Sequence, residues 1–334
     1  MIIYVGNIIS GHGKTATTIE TLGKLLQKEG FDVQLTSNKH NKILRLLDML
    51  WTVFTHRKKL DYVLIDTYST TNFLYAYYVS KLCIWLQLKY IPILHGGNLE
   101  ERLKHSKAKS DVIFKNAHVN ISPSLFLKTV FEKYGYTNLK HIPNNVELVA
   151  YPFKERSKVA AKLLWVRSFA EIYNPQLAVE VVHALGQKGI ETSLCMVGPR
   201  KDASFEKTQQ LANDLGVTVT FTGKLSKQDW IALSSNYDIF INTTNFDNTP
   251  VSLIEAMALG MPIISTNVGG IPFLIDDQKN GLLVEPNSKE AMLKAIETLL
   301  KDEKLAQKLS QNARTKAETF DWETVKAQWN LLLN

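Results

Sequence analysis

The chain has 334 residues, 45% of them hydrophobic and 21% charged, with a formal net charge of +7. That length holds two domains of ordinary size, and the composition is that of a soluble globular protein. The two cysteines, Cys83 and Cys195, lie in apolar segments and read as buried free thiols suited to a reducing compartment; no Cys/His cluster has the spacing of a zinc site.

The N-terminus, MIIYVGNI, has the pattern of a first strand and lacks the basic n-region of a secretory signal. The most apolar run, 72–94, is interrupted by Lys81 and Lys89 and reads as a helix followed by a strand, not as a membrane span. Charge is unevenly spread: 20 Lys and Arg against 12 Asp and Glu in residues 1–155, net +8, then 19 against 20 in 156–334, net −1. A basic first half suits an anionic membrane surface or an acidic polymer, with Arg57-Lys58-Lys59 as one contact; a solvated, lysine-rich surface explains it equally well.

Strand signals at Ile2–Val5, Val33–Thr36, Tyr62–Asp66, Tyr90–Leu94 and Val119–Ser122 alternate with helical patterns near 15–29, 40–50, 72–88, 99–109 and 124–134. That order predicts βαβ units and a parallel sheet. The first loop contains Gly11 and Gly13 and ends Gly13-Lys14-Thr15, as a Walker A motif does. Ile8 stands where that motif needs glycine, which leaves a P-loop NTPase as a remote alternative. After the fourth strand comes Leu94-His95-Gly96-Gly97-Asn98, at the carboxyl end where open α/β sheets bind ligands. His95 faces such a ligand or caps the helix beginning near Leu99. Residues 147–160 read as a polar linker.

The second half restarts the pattern with a strand at Lys162–Val166, and Arg167 leaves its end. Helix 175–188, strand Thr192–Val197, helix 204–215 and strand Val219–Thr222 follow, then Gly223-Lys224-Leu225 and a helix at 227–235 capped by Ser226. Strand Asp238–Asn242 leads into a polar loop, 243–250, rigidified by Pro250. Ser252 or Thr249 is expected to cap a helix that runs to Leu259 and is stopped by Gly260. Strand Ile263–Thr266 and Gly269-Gly270 complete the stretch. A loop that ends a strand and opens a helix presents unpaired N–H groups and a positive dipole end, where a phosphate or a sugar hydroxyl is held. Asp247 and Glu255, with seven residues between them, bracket it, and ligand hydroxyls are good donors to such carboxylates. Beyond it lie strand Gly281–Val284, helices 288–301 and 304–318, and a last helix capped by Asp321 with Trp322, Val325, Trp329 and Leu332 on one face.

The stretch 238–274 resembles the nucleotide-sugar site of retaining glycosyltransferases of family 4, which have the GT-B architecture. That family shows Glu, seven residues, Glu, then Ala-Met-Ala-x-Gly-x-Pro and a later Gly-Gly. Here Glu255-Ala256-Met257-Ala258 continues to Gly260, Pro262 and Gly269-Gly270, with Asp247 in place of the first Glu. Ile142-Pro143-Asn144-Asn145-Val146 and Asn280-Gly281-Leu282-Leu283-Val284 are similar to further family turns. The family's Gly-Arg is represented by Val166-Arg167, and Tyr173 stands nearest to its usual Lys.

The resemblance implies an α/β fold of two facing Rossmann-like parallel-sheet domains: 1–155 on the acceptor side, 156–317 on the donor side, and a terminal helix, 318–334, crossing back to the first. It implies a retaining transferase that moves a sugar from a UDP- or GDP-linked donor to a glycan or lipid-linked acceptor. No metal and no cofactor are expected beyond the nucleotide sugar as co-substrate, and no nucleic acid partner; the expected location is cytoplasmic, at the inner face of a membrane. The implied catalytic residues are His95, Asp247 and Arg167. Donor contacts are assigned to Glu255, Arg167, Gly11, Gly13, Gly223, Lys224, Leu225, Asn248, Thr249, Pro250, Val251 and Ser252. A GT-B protein of epimerase type or a catalytically impaired nucleotide-sugar scaffold is the alternative, and the two carboxylates also admit a glycoside hydrolase.

Overall fold

Short runs of branched and aromatic residues, buried on both faces, make the strands of each half, which is the pattern of parallel sheets covered by helices. The computed structural model describes residues 1–9, 17–96, 98–156 and 158–334. The chain divides into two units, Met1–Pro143 with Leu333–Asn334, and Asn144–Leu332.

In the first unit β1 (Ile2–Val5), β2 (Val33–Thr36), β3 (Tyr62–Tyr68), β4 (Tyr90–His95), β5 (Asn120–Ser122) and β6 (Leu139–His141) form a parallel sheet in the order β2-β1-β3-β4-β5-β6. Its helices are α1 (Thr18–Lys28), α2 (Lys42–His56), α3 (Phe73–Trp85), α4 (Leu99–His105), α5 (Lys107–Lys115) and α6 (Leu125–Lys133). Ile3, Val63, Val79, Phe114 and Phe131 are among the residues of its core.

In the second unit β7 (Ala161–Val166), β8 (Thr192–Val197), β9 (Val219–Gly223), β10 (Ile239–Asn242), β11 (Ile263–Thr266) and β12 (Leu282–Val284) are ordered β9-β8-β7-β10-β11-β12, again all parallel. Its helices are α7 (Pro175–Gln187), α8 (Ser204–Asp214), α9 (Lys227–Ser234), α10 (Val251–Ala258), α11 (Ile271–Leu274), α12 (Lys289–Lys301), α13 (Glu303–Glu318) and α14 (Trp322–Leu333). One core layer joins Trp165 and Val181 to Ile296 of α12; the other joins Phe240 and Ile254 to Ala313 of α13. Both units are doubly wound folds of Rossmann type. The strand order reverses between β1 and β3 and between β7 and β10, and ligands bind such sheets beside the carboxyl ends at the reversal.

The structure corrects or adds to the sequence reading in four places. The helix expected over 99–109 breaks at Ser106, whose φ of −133° leaves the helical region, so that α4 and α5 are separate. Strand β6 is Leu-Lys-His, too short to show a period, and it forms by pairing with β5. Asp321 stands at the start of α14, its carbonyl accepting the Val325 N–H at 2.9 Å, and its carboxylate also accepts the Leu148 N–H at 3.1 Å. Residues 147–156 are also no loose linker. Residues 148–150 form a 3₁₀ turn, Tyr151 is buried, and Arg156 is 2% exposed.

Arg156 donates to the carbonyls of Leu259 (2.8 Å), Lys154 (3.1 Å), Tyr237 (3.2 Å) and Ser234 (3.4 Å). Burial lowers its pKa to about 10, which still leaves it charged at neutral pH. Among the described residues no helix is long and apolar enough to cross a membrane. Arg156→Met keeps the stem but removes the guanidinium donors from those four carbonyls, of which Leu259 and Ser234 keep a backbone N–H. Urea unfolding should register a loss of roughly 3 kcal/mol; a change within about 0.5 kcal/mol, the range of a surface substitution, would contradict the role given to the guanidinium.

Candidate functional site

The loops that leave β7 and β10, the two strands at the reversal, are stitched together. The Thr243 hydroxyl accepts from Trp165 Nε1 at 3.0 Å and donates to the Tyr173 carbonyl at 2.8 Å. The Asn245 N–H donates to the Ile172 carbonyl at 2.8 Å. These bonds hold the Tyr173 ring under Arg167, whose Cζ lies 4.1 Å from the ring centroid in a cation–π contact. Arg167 itself starts where β7 ends, its N–H donating to the Val197 carbonyl at 3.0 Å. Gly198 is obligatory beside it, because a Cβ there would stand 1.7 Å from the Arg167 carbonyl oxygen.

From that position Arg167 Nη2 donates to Asp247 Oδ2, with both side chains about 15% exposed. Asp247 Oδ1 accepts the Asn248 N–H at 2.8 Å. Burial lifts the Asp247 carboxyl above its usual range; the Arg167 charge and the Asn248 N–H pull the other way without cancelling it. The Nε of Arg167 is buried without a hydrogen-bond partner.

The Asp247–Asn248 main chain rests directly on Gly269-Gly270. The Gly270 N–H donates to the Asp247 carbonyl at 2.8 Å. A Cβ on Gly269 would lie 2.2 Å from that oxygen, and one on Gly270 would lie 1.8 Å from the Asn248 oxygen. Only residues without side chains permit this approach.

Helix α10 opens from the same loop. Pro250 occupies its N-cap position and no side chain caps it, so neither Thr249 nor Ser252 plays the capping role expected of it. Pro250 takes the extended conformation that precedes a helix, and Ser252 lies inside the first turn, its Oγ buried without a partner. The other end is fully satisfied. The carbonyls of Ala258, Leu259 and Gly260 accept from Arg314 (2.7 Å), Arg156 (2.8 Å) and the Ser310 hydroxyl (2.6 Å). Gly260, at φ +71°, ends the helix as expected.

Glu255 lies one turn into α10 and is 7% exposed. Its Oε1 accepts from the Tyr151 hydroxyl at 2.6 Å and pairs with Lys227 Nζ at 3.3 Å; both contacts fall on one oxygen. Burial and the Glu255 charge push the Tyr151 phenol well above its usual pKa, so it stays a donor. Lys227 opens α9, just after Gly223-Lys224-Leu225. Gly223, at φ +70°, accepts the Gly198 N–H at 2.9 Å, which ties this turn to the one beside Arg167. Ser226 caps α9 as expected.

In the first unit, His95 ends β4 and Asp66 lies on the adjacent β3. His95 Nε2 is 2.7 Å from Asp66 Oδ1, which also accepts from the Tyr4 hydroxyl at 2.8 Å. Tyr68 stacks on the imidazole at 4.8 Å. Asp66 Oδ2 is buried without a partner, and a Cβ on Gly6 would come within 2.7 Å of it. Helix α4 has Asn98 at its N-cap, so His95 is not its cap. Gly11, Gly13 and Lys14 lie outside the described residues.

The structure thus brings together Arg167, Asp247, Asn248, Thr249, Pro250, Val251 and Ser252 around the start of α10, with Glu255 one turn in. His95 stands in the other unit. Tyr151, Lys227, Tyr173, Asp66, Arg156 and Arg314 were missed by sequence reasoning. The only signals were a tyrosine in the place of a usual lysine and an acid in the third strand.

Residues 151–316 match the family described as Glycosyl transferases group 1. A D-inositol 3-phosphate glycosyltransferase of Corynebacterium glutamicum (strain R) is 28% identical over 166 residues, 48% of this chain, and the chain covers 40% of that relative. An N-acetyl-alpha-D-glucosaminyl L-malate synthase of Bacillus anthracis is 25% identical over 283 residues, which is 76% of this chain and 70% of that one. The solved structure of Anabaena Alr3699/HepE in complex with UDP superposes with a TM-score of 0.78 over 99% of each chain at 16% identity, a likeness of fold.

Two outcomes test this geometry. Gly270→Ala must displace the 247–248 backbone and should lower the unfolding free energy by roughly 2 kcal/mol. Gly186→Ala, whose Cβ meets nothing in α7, should be neutral or stabilising. Equal effects of the two in thermal unfolding would contradict the contact. The second outcome concerns pH. A carboxyl with a raised pKa holds its proton in the folded chain where the unfolded chain has released it, so it favours folding at low pH and opposes it as pH rises through the raised value. The stability of the parent relative to Asp247→Asn should therefore fall as pH climbs from the ordinary aspartate range towards neutrality. A rise over that interval would mean that the Arg167 pair outweighs burial.

Proposed function

We propose that this chain, which belongs to the Glycosyl transferases group 1 family through residues 151–316, moves a sugar from a nucleotide-diphosphate donor to a hydroxyl of a glycan or lipid-linked acceptor, with retention at the anomeric carbon. The observation that carries the reading is the start of α10. A buried helix whose carboxyl end is tied to two guanidinium groups and a hydroxyl, and whose amino end has no side-chain cap, opens from the loop that carries Asp247, whose carboxylate is paired with Arg167 from the neighbouring loop.

The bond broken is the one between the anomeric carbon and the diphosphate oxygen, and the bond formed joins that carbon to the acceptor oxygen. Negative charge builds on the departing diphosphate, so groups already aimed at it lower the barrier most. Arg167, whose Nε has no partner, and the N–H groups of Val251 and Ser252 supply them. The acceptor proton passes to the departing phosphate oxygen, which leaves the nucleoside diphosphate as the second product. Asp247, Asn248 and Thr249 hold the sugar hydroxyls. Glu255 holds the ribose hydroxyls, with Tyr151 and Lys227 fixing its carboxylate so that Oε2 is presented. The base lies against Gly223, Lys224 and Leu225. In the first unit we assign His95, backed by Asp66, to a polar ligand contact at the carboxyl end of β4. The groups we assign to the diphosphate are one guanidinium and backbone N–H groups, and turnover is expected to survive a chelator.

UDP-linked sugars stand first among the donors to test, because the Anabaena neighbour was solved with UDP. Retention and membership of family 4 rest on the motif around Glu255. A panel of UDP-, GDP- and ADP-sugars should give a thermal shift and nucleotide release with one donor class, and the anomeric configuration of the product is read by NMR. Glu255→Ala should weaken donor binding by roughly 3 kcal/mol, about a hundredfold, whereas Asp247→Glu should keep activity. Turnover untouched by Glu255→Ala would overturn the donor site. Stabilisation by a nucleotide diphosphate with no turnover on any acceptor would favour the scaffold.

A further inference from the structure

We propose that the face of the first unit formed by α2 and α3 docks on an anionic lipid bilayer. This does not rest on the transfer reaction. The two helices pack side by side, and each is apolar on the side it turns to solvent as well as on the side it buries. In α2, Met49 and Val53 enter the core while Ile43, Leu44, Leu47 and Trp51 face outward. The outward residues recur at helical spacing, as do Leu74, Tyr78, Lys81 and Trp85 of α3, so each set is a stripe and not a scatter. Trp51 is 67% exposed and Trp85 71%. Between the stripes runs an open trough of about 850 Å³, lined by Leu44, Leu47, Trp51, Phe54 and Tyr78 among others. Contiguous apolar surface of this kind marks an interaction site.

The charge around the stripes selects the occupant. Across residues 37–60 and 69–89 there are eight cations, Lys39, Lys42, Arg45, Arg57, Lys58, Lys59, Lys81 and Lys89, against one anion, Asp48. A second copy of this chain seated on the same face would set eight cations against eight. An acidic polymer would answer the charge but not the stripes. A bilayer with anionic headgroups answers both. Tryptophan prefers the interfacial region, apolar side chains enter just below it, and Lys and Arg meet the headgroups, which is how interfacial helices bind. The uneven charge of the sequence thereby acquires a place: much of the first-half excess flanks this apolar face.

Sedimentation with vesicles tests the proposal. The full chain should pellet with phosphatidylcholine vesicles that contain phosphatidylglycerol, should stay in solution with phosphatidylcholine alone, and should be released by high salt. Its tryptophan emission should shift to the blue on binding. Trp51→Glu with Trp85→Glu, and separately Lys58→Glu with Lys59→Glu, should each weaken binding roughly tenfold or more, while donor-sugar binding and the unfolding midpoint stay those of the parent. If the glutamate pair fails to fold, Trp51→Ser with Trp85→Ser serves in its place. Three results would overturn the proposal: a parent that ignores anionic vesicles at low salt, tryptophan variants that bind as well as the parent, or a concentration-dependent dimer that the tryptophan variants abolish.

Discussion

The close approach of two main-chain segments organises the second unit. The carbonyls of Asp247 and Asn248 occupy space that side chains at 269 and 270 would fill, and the Gly270 N–H fixes the first of them. With its backbone pinned there, Asp247 points its carboxylate at Arg167. Arg167 in turn lies on Tyr173, and Tyr173 is held by hydrogen bonds from the β10 loop itself. The chain of contacts closes on its own starting point. A ring of this kind keeps a charged pair buried at the mouth of a sheet without leaving its members free to reorient, which is what preorganised charge requires.

The carboxylates of the chain are treated differently by their surroundings. Asp247 shares its charge with a guanidinium and a backbone N–H and is pushed towards its neutral form by burial. Glu255 receives a phenol and an ammonium on one oxygen, and the second oxygen accepts from neither. Asp66, in the other unit, holds an imidazole and a phenol on Oδ1, while Oδ2 is buried and unpartnered. Buried polar atoms are rarely left without partners. The orphaned oxygen of Asp66, the Nε of Arg167 and the hydroxyl of Ser252 therefore all stand beside segments where the strand order reverses or where a helix begins at such a reversal.

Much of this was legible in the sequence. Strand and helix periods located nearly every element, because parallel strands are short apolar runs and the helices between them are amphipathic. Asp247, Glu255 and Gly269-Gly270 stood out as two acids and a glycine pair around a loop that ends a strand and opens a helix, and Arg167 stood out through its resemblance to the family's Gly-Arg. What was not legible depends on contacts between residues far apart in the chain. Tyr151 reaches Glu255 across 104 positions, and Arg314 reaches the end of α10 across 56. Arg156 sat in a stretch whose composition reads as solvated, and only the fold turns it inward. The capping role expected of Thr249 and Ser252 failed for a local reason: Pro250 itself takes the N-cap position, with one hydroxyl before it and the other inside the first turn.

The anchoring of α10 has a consequence for how substitutions in this chain would be classified. Arg156 and Arg314 touch nothing at the helix start, yet they hold its far end, and a rigid segment of eight residues transmits a tilt from one end to the other. Loss of either arginine would remove a guanidinium donor from a carbonyl at that far end. With the donor site proposed at the start of α10, variation at these two positions would segregate with donor selectivity as well as with heat resistance, and a survey that sorts positions by distance from the donor would assign them to the wrong class.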